Sequence, residues 1–233
     1  MAPMSHDLMM SRLAEPFGSF PDILMEWSRI KGDDLALIDE KREVYWAELV
    51  GLVERLAARL VETGLQRGQS VAILGTSTVE YALVFLAAVR AGGVAAPLTT
   101  SASADQLAGM AADSGAAHIF IDRAKLTELG PDCFAGLTKI VLDEELNDWM
   151  ATAGTRAAPF TPGERDPFNI IYSSGTTGLI APTRAISGDI EELTVDGVRH
   201  DLAPGDCLRY RLYGPTAFET PPETGAHYFL FLV

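Results

Sequence analysis

Two stretches near the amino terminus repeat apolar residues at helical spacing. Residues 20–30 carry them on one face, which predicts a short amphipathic helix. Residues 47–63 repeat leucines and a valine with the same period and are followed by Gly64, so we expect a second amphipathic helix that stops there. The apolar segments 35–38 and 43–46 flank a charged turn between these helices, and they predict a small hairpin.

From residue 70 onward, short apolar runs alternate with helix-like segments. Such runs are typical of strands that are buried on both faces of a sheet. The expected strands are 70–74, 94–98, 118–122, 139–143 and 168–172. The expected helices between them are 80–90, 103–113 with Ser103 as its cap, and 123–129. This alternation predicts an α/β fold with a doubly wound, mostly parallel sheet.

Two further segments differ from this alternation. Residues 152–167 are rich in Thr, Ala, Gly and Pro and predict a surface linker. After Leu179 the helical period disappears, and short strands separated by turns are expected. These strands are 189–195, 198–202, 207–212 and 227–233, with Asp196-Gly197 as the turn of a hairpin. We therefore expect two domains, an α/β domain over residues 1–179 and a small all-β segment over residues 187–233.

The composition narrows the classes of function. The 233 residues are 48% hydrophobic and 8% aromatic, which is sufficient for a sizeable core. The formal charge of -14, from 32 acidic and 18 basic residues, would repel a phosphate backbone or an anionic membrane, so neither partner is expected. The longest apolar run, 82–89, is too short to span a bilayer, and the amino terminus has no secretory pattern. A cytoplasmic location is therefore expected.

The cysteines and histidines do not form a recognisable site. Cys133 and Cys207 are far apart in sequence and have no neighbouring ligand at metal spacing, so we expect reduced thiols. The four histidines are equally scattered, and none is assigned to a metal or to a catalytic base. They are His6, His118, His200 and His227.

A hydroxyl-rich and glycine-rich loop follows the last strand of the α/β part. Its residues are Ser173, Ser174, Gly175, Thr176, Thr177 and Gly178. At the carboxyl end of a parallel strand, successive amides and small hydroxyl side chains can hold phosphate oxygens. Glycine lets the backbone approach those oxygens closely. Taken by itself, however, the same hexamer also fits an ordinary flexible loop.

The surrounding sequence resembles the adenylate-forming superfamily, in particular its acyl- and aryl-CoA ligases. Five blocks occur in the order found in that family. They are ALIDEKREVYWAEL, RLAARLVETGLQRGQSVAIL, STVEYALVFLAAVRAGGVAAPL, ADQLAGMAADSGAAHIFID and IIYSSGTTGL. The resemblance implies ATP, Mg²⁺ and coenzyme A as ligands and a carboxylic acid as substrate. It assigns the six loop residues 173–178 to gripping the β- and γ-phosphates.

The chain departs from the family pattern directly after the loop. The family continues with Pro-Lys-Gly, whereas this chain has Ile180-Ala181-Pro182, so the loop lysine is absent. The magnesium-binding glutamate, the ribose-binding aspartate and the catalytic lysine of the family also have no counterpart in the sequence. Without them the charge that develops at phosphorus is not neutralised. We therefore assign no catalytic residue, leave enzymatic activity open, and expect ATP or AMP to bind weakly and not to turn over.

The last residues, 187–233, resemble the second half of a small cupin domain. Where metal-binding cupins have a histidine after Gly214-Pro215, this chain has Thr216 and Ala217, so a metal-free segment is expected. Half of such a fold leaves strand edges unpaired, especially at 227–233. These edges must pair within the segment, lie on the α/β part, or self-associate with a second copy of the chain.

Three interpretations of the whole chain remain at this stage. The leading one is a truncated CoA-ligase amino-terminal part fused to a partial cupin, with the junction between Gly178 and Ser187. The second is a non-enzymatic binding or oligomerisation module that includes a metal-free sensor piece. The third is an assembly error in the coding sequence. None of them identifies the acid substrate or the oligomeric state.

Overall fold

The computed structural model describes residues 20–143, 145–163, 166–173, 181–184, 192–195, 198–201 and 216–219. The described helices are α1 (Phe20–Ile30), α2 (Trp46–Glu62), α3 (Val79–Arg90), α4 (Ala104–Asp113), α5 (Arg123–Leu129) and α6 (Glu145–Trp149). The strands up to residue 173 are β1 (Leu35–Ile38), β2 (Glu43–Tyr45), β3 (Ser70–Leu74), β4 (Val94–Pro97), β5 (His118–Ile121), β6 (Thr138–Val141) and β7 (Ile170–Ser173). Four strands follow: β8 (Ala181–Arg184), β9 (Glu192–Val195), β10 (Val198–Asp201) and β11 (Thr216–Glu219).

The centre of the fold is a parallel sheet with the strand order β4-β3-β5-β6. Strand β7 adjoins β4 through a parallel bridge between Ala95 and Asn169. The amide of Ala95 donates to the carbonyl of Phe168 at 2.9 Å. Because β7 runs in the same direction as the other strands, its carboxyl end lies at the sheet edge where β3, β4, β5 and β6 also end. The predicted parallel α/β sheet is confirmed.

Helices cover both faces of this sheet. On one face, α2, α3 and α6 pack against alternate strand residues, which include Val71, Ile73 and Phe120. On the other face, α4 and α5 pack against the intervening residues Ala72 and Ile119. All five residues of β3 are buried, as expected for a central strand that is covered on both sides. The sheet is therefore doubly wound.

Two helices begin with side-chain caps, and one of these caps, Ser103, is at the position that the sequence predicted. The Ser103 hydroxyl accepts a hydrogen bond from the amide of Gln106, and the Gln106 side chain accepts one from the amide of Ser103. This capping box starts α4 where the sequence predicted it. Thr78 caps α3 in a similar way, by accepting from the amide of Tyr81 at 3.2 Å. The short helix α6 is an element that the sequence did not predict.

The segment predicted as a surface linker is fixed to the helical layer by specific contacts. We call residues 151–163 and 166–169 the strap. Ala157 is buried within it, and the amide of Ala157 donates to the Glu54 carboxylate at 3.0 Å. The guanidinium of Arg90 donates to the carbonyls of Ala157 and Ala158 at 3.2 and 3.0 Å. The middle of the strap is therefore held against α2 and α3.

Three of the later strands form an antiparallel sheet with the order β10-β9-β11. Val195 pairs with Val198, so the predicted hairpin around Asp196-Gly197 is confirmed at the level of strand pairing. Strand β11 was not predicted, and the predicted strands 207–212 and 227–233 lie outside the described residues. Three paired strands occur in many all-β folds, so the cupin-like assignment of residues 187–233 rests on the sequence resemblance.

The helices of the described part are those given above. None of them is both long and apolar enough to cross a bilayer.

Candidate functional site

The predicted phosphate loop begins at the carboxyl end of β7. Ser173 is the last residue of this strand, and its backbone is paired with that of Ala181 in the antiparallel strand β8. Residues 174–178, which complete the predicted site, lie outside the described residues. Of the six predicted residues, Ser173 is therefore the one whose backbone position the structure gives.

The backbone ladder between β7 and β4 is limited by a proline. The amide of Val94 in β4 donates to the residue before β3, and that of Leu98, just after β4, donates to Ile73 in β3, while the amide of Ala95 donates to Phe168, just before β7. The next residue of β4 with this orientation is Pro97, which has no N–H group. Strand β7 therefore loses a backbone donor from β4 shortly before the loop begins.

Tyr172 connects the carboxyl end of β7 to helix α4. Its hydroxyl lies 2.8 Å from the carbonyl oxygen of Met110 and 3.2 Å from Oδ2 of Asp113, in the last turn of that helix. Burial raises the pKa of the Tyr172 phenol, and the Asp113 carboxylate raises it further. The phenol is therefore a neutral hydrogen-bond donor at physiological pH. The sequence placed Tyr172 in a strand but did not indicate this role.

A topological switch point lies between β3 and β5, because the chains that leave these two strands turn to opposite faces of the sheet. Such a switch point is a common ligand site in α/β folds. Here it is filled by the Asp122 carboxylate, which accepts hydrogen bonds from the amide and the hydroxyl of Thr76 at 2.7 and 3.1 Å. A side chain at Gly75 would also collide with Asp122. Because a carboxylate occupies the crevice and uses these donors, this part of the edge is unsuited to phosphate.

The described residues contain no group of three or more histidine, cysteine, aspartate and glutamate side chains that could hold a metal ion. Cys133 is a partly exposed free thiol. His118 lies at the amino end of β5, which is the sheet edge opposite to the loop. Its Nε2 atom is 2.9 Å from the hydroxyl of Thr63, and its buried Nδ1 has no hydrogen-bond partner among the described residues. These positions indicate a structural role for His118.

The buried histidine predicts a pH dependence of stability. Burial lowers the pKa of His118 below its ordinary value of 6.5, while the Thr63 contact opposes this shift. As pH falls through that ordinary value, the unfolded chain takes up a proton before the folded chain does, so stability decreases. We expect the urea concentration at the unfolding midpoint to decrease when the pH is lowered from about 7.5 to about 5.5. In the variant His118→Gln this decrease should be smaller. Equal pH dependence in the two proteins would contradict this prediction.

Comparison with known proteins places most of the chain in one family. Residues 24–180 match the profile of the family described as AMP-binding enzyme. A dimodular nonribosomal peptide synthase from Bacillus subtilis is 29% identical over 192 residues, which covers 77% of this chain and 8% of the synthase. An indoleacetate–CoA ligase from Aromatoleum aromaticum is 29% identical over 178 residues, which covers 72% of this chain and 35% of the ligase. The chain thus spans a minor part of each relative.

Solved structures share the fold. The amino-terminal subdomain of NpsA from Klebsiella oxytoca, in complex with 3-hydroxybenzoyl-AMSN, gives a TM-score of 0.60 at 22% identity and covers 73% of this chain and 42% of that one. O-succinylbenzoate coenzyme A synthetase from Bacillus subtilis, in complex with AMP, gives a TM-score of 0.61 at 24% identity. The match covers 71% of this chain and 42% of that one. Neither similarity favours an oligomerisation module over a nucleotide-binding one.

Proposed function

Since the chain belongs to the AMP-binding enzyme family, we propose that it binds the phosphates of ATP through the loop at the end of β7. The residues of this proposed site are Ser173, Ser174, Gly175, Thr176, Thr177 and Gly178. We propose that a complete enzyme of this type activates a carboxylic acid. A carboxylate oxygen bonds to the α-phosphorus while the bond to pyrophosphate breaks, and the thiol of coenzyme A then displaces AMP.

The observation that carries this proposal is the direction and position of β7. The strand runs parallel to β4 and ends at Ser173, at the carboxyl edge of a parallel sheet. Such edges commonly hold anionic ligands, because successive backbone amides at the strand ends are available as donors. The crevice between β3 and β5 is filled by Asp122 and Thr76, which leaves the β7 side as the better candidate.

We also propose that the 233-residue chain does not form an acyl-adenylate by itself. The charge that develops during attack on the α-phosphate requires preorganised positive partners, each worth about 3 kcal/mol in the transition state. At the position of the family's loop lysine this sequence continues with Ile180-Ala181-Pro182. When bound, Mg²⁺ would supply part of this charge.

The nucleotide proposal is tested by calorimetric titration of the purified chain with ATP. We expect the double variant Thr176→Ala/Thr177→Ala to bind at least tenfold more weakly, because each lost hydroxyl donates to a charged phosphate oxygen. The matched control is Thr152→Ala/Thr155→Ala, which removes two hydroxyl groups from the strap. Unchanged binding in the loop variant would refute the proposed site. A clear ATP–pyrophosphate exchange signal with any carboxylate would refute the proposed lack of turnover.

For the remaining part of the chain we propose a separate, metal-free cupin-like segment over residues 187–233, after a ligase-like domain over residues 1–179. Support comes from the family match, which ends at residue 180, and from the antiparallel pairing of β9 with β10 and β11. Coenzyme A and a carboxylic acid are the proposed co-substrates, and a cytoplasmic location and self-association through β edges are part of the same proposal.

A further inference from the structure

We propose that Tyr172 is the positioning residue of the nucleotide loop, and that it fixes the start of the loop by tying the end of β7 to the last turn of α4. The expected effect of Tyr172 on nucleotide binding rests on the proposed function, whereas its contacts with α4 do not. Tyr172 immediately precedes Ser173, and its hydroxyl lies within hydrogen-bond distance of the Met110 carbonyl and of the Asp113 carboxylate, to one of which it donates its single proton. Among residues with described side chains, it is the one closest to the loop along the chain.

The need for such a contact follows from the way β7 joins the sheet. The bridge between Ala95 and Asn169 holds the beginning of the strand. Pro97 then lacks the N–H group that would continue the backbone pairing toward the loop. Strand β8 pairs with β7 through Ser173 and Ala181, but it belongs to the same hairpin and moves with it. The direction of the hairpin relative to the sheet therefore depends on contacts such as that of Tyr172.

The partner of Tyr172 is itself well fixed. The carbonyl of Met110 also accepts a hydrogen bond from the amide of Ser114 at 2.9 Å, and the side chain of Met110 is buried in the second core cluster. The last turn of α4 contains no basic residue, and the Tyr172 phenol is a neutral donor next to its Met110 carbonyl. A loop that begins one residue after this contact is held at a defined distance from the rigid part of the domain.

A positioned loop should bind phosphate more tightly than a mobile one, because less conformational entropy is lost on binding. Loss of the Tyr172 hydroxyl should therefore weaken nucleotide binding without unfolding the domain. A purely structural role would instead lower stability and leave the affinity of the folded protein unchanged. The ring of Tyr172 packs in the second core cluster, and phenylalanine retains that packing.

The experiment compares Tyr172→Phe with Tyr81→Phe in the full chain. Tyr81 is a matched control because it is another largely buried phenol, in α3, where burial raises its pKa to about 12. Two readouts are collected for each protein: the ATP dissociation constant, and amide hydrogen exchange of residues 170–173 relative to β3. For Tyr172→Phe we expect about five- to tenfold weaker binding and faster exchange at 170–173 only. Tyr81→Phe should leave both unchanged.

The two readouts separate this inference from the proposed function. Unchanged exchange at 170–173 in Tyr172→Phe would overturn the anchoring role, whatever the affinity. Faster exchange with unchanged affinity would overturn the role in nucleotide binding. If the unaltered chain binds no ATP, the proposed function and the role of Tyr172 in nucleotide binding both fail, and the exchange experiment still decides whether Tyr172 anchors the strand.

Discussion

Replacing Arg90 by methionine is expected to lower the free energy of unfolding by about 3–5 kcal/mol, the usual cost of removing one partner from a buried ion pair. The Arg90 guanidinium donates to both oxygens of Glu54, at 2.8 and 3.1 Å. The two side chains are only 13% and 9% exposed, so water cannot replace the lost partner. The substitution also leaves the carbonyls of Ala157 and Ala158 without this donor. Equilibrium unfolding in urea measures the loss.

Two controls make this experiment specific. Arg123→Met is the same chemical change in an ion pair whose arginine side chain is 56% exposed, and its effect should be far smaller. The double variant Glu54→Leu/Arg90→Met should lose less stability than the sum of its two single variants, because no unpaired charge remains. Additive effects would contradict the view that the two side chains act as one buried pair.

The second large effect is expected at the centre of the sheet. Phe120→Ala should lower the free energy of unfolding by about 3–5 kcal/mol, as large-to-small substitutions of buried aromatic residues do. Phe120 is fully buried in β5, in register with Ile73 on one side and Ile140 on the other. Its ring contacts Trp149 edge to face, with the ring centroids 5.3 Å apart. The cavity left by alanine would remove contacts with both the strands and α6.

Urea unfolding followed by circular dichroism measures this second prediction. Phe120→Leu is the conservative control and should cost clearly less, because leucine fills more of the space. Ile23→Ala removes apolar atoms from α1 at a position that is 39% exposed, and it should have a small effect. A loss below about 1 kcal/mol for Phe120→Ala would show that the packing around β5 collapses to fill the cavity.

The first of these positions also bears on the strap that precedes β7. The pair formed by Glu54 and Arg90 fixes the strap on the helical layer, and the strap continues into β7. Further along the strap, Asp166 pairs with Arg67 at 2.5 Å. The amide of Gly163 and the guanidinium of Arg67 lower the pKa of the Asp166 carboxyl group. These contacts hold the described parts of the strap, which lead into the amino end of β7, whereas the loop begins at the carboxyl end of that strand.

The amino-acid sequence determined the elements of the α/β part because their signals are local. Apolar periods and caps depend on neighbouring residues, so the strands around residues 70–74 and 118–121 and the cap at Ser103 were found at the correct positions. The parallel sheet followed from the alternation of strands and helices. The order of motifs identified the family, which the match over residues 24–180 confirms.

Only the tertiary structure determined which residues meet across the fold. The contacts of Glu54 with Ala157 and of Tyr172 with Met110 join residues that are far apart in sequence, and no local period encodes them. The same reason explains why the strap resembled an ordinary linker and why the short helix Glu145–Trp149 was missed. Its five residues are too few to produce a clear helical period, and it is stabilised by packing such as that of Leu146 in the core.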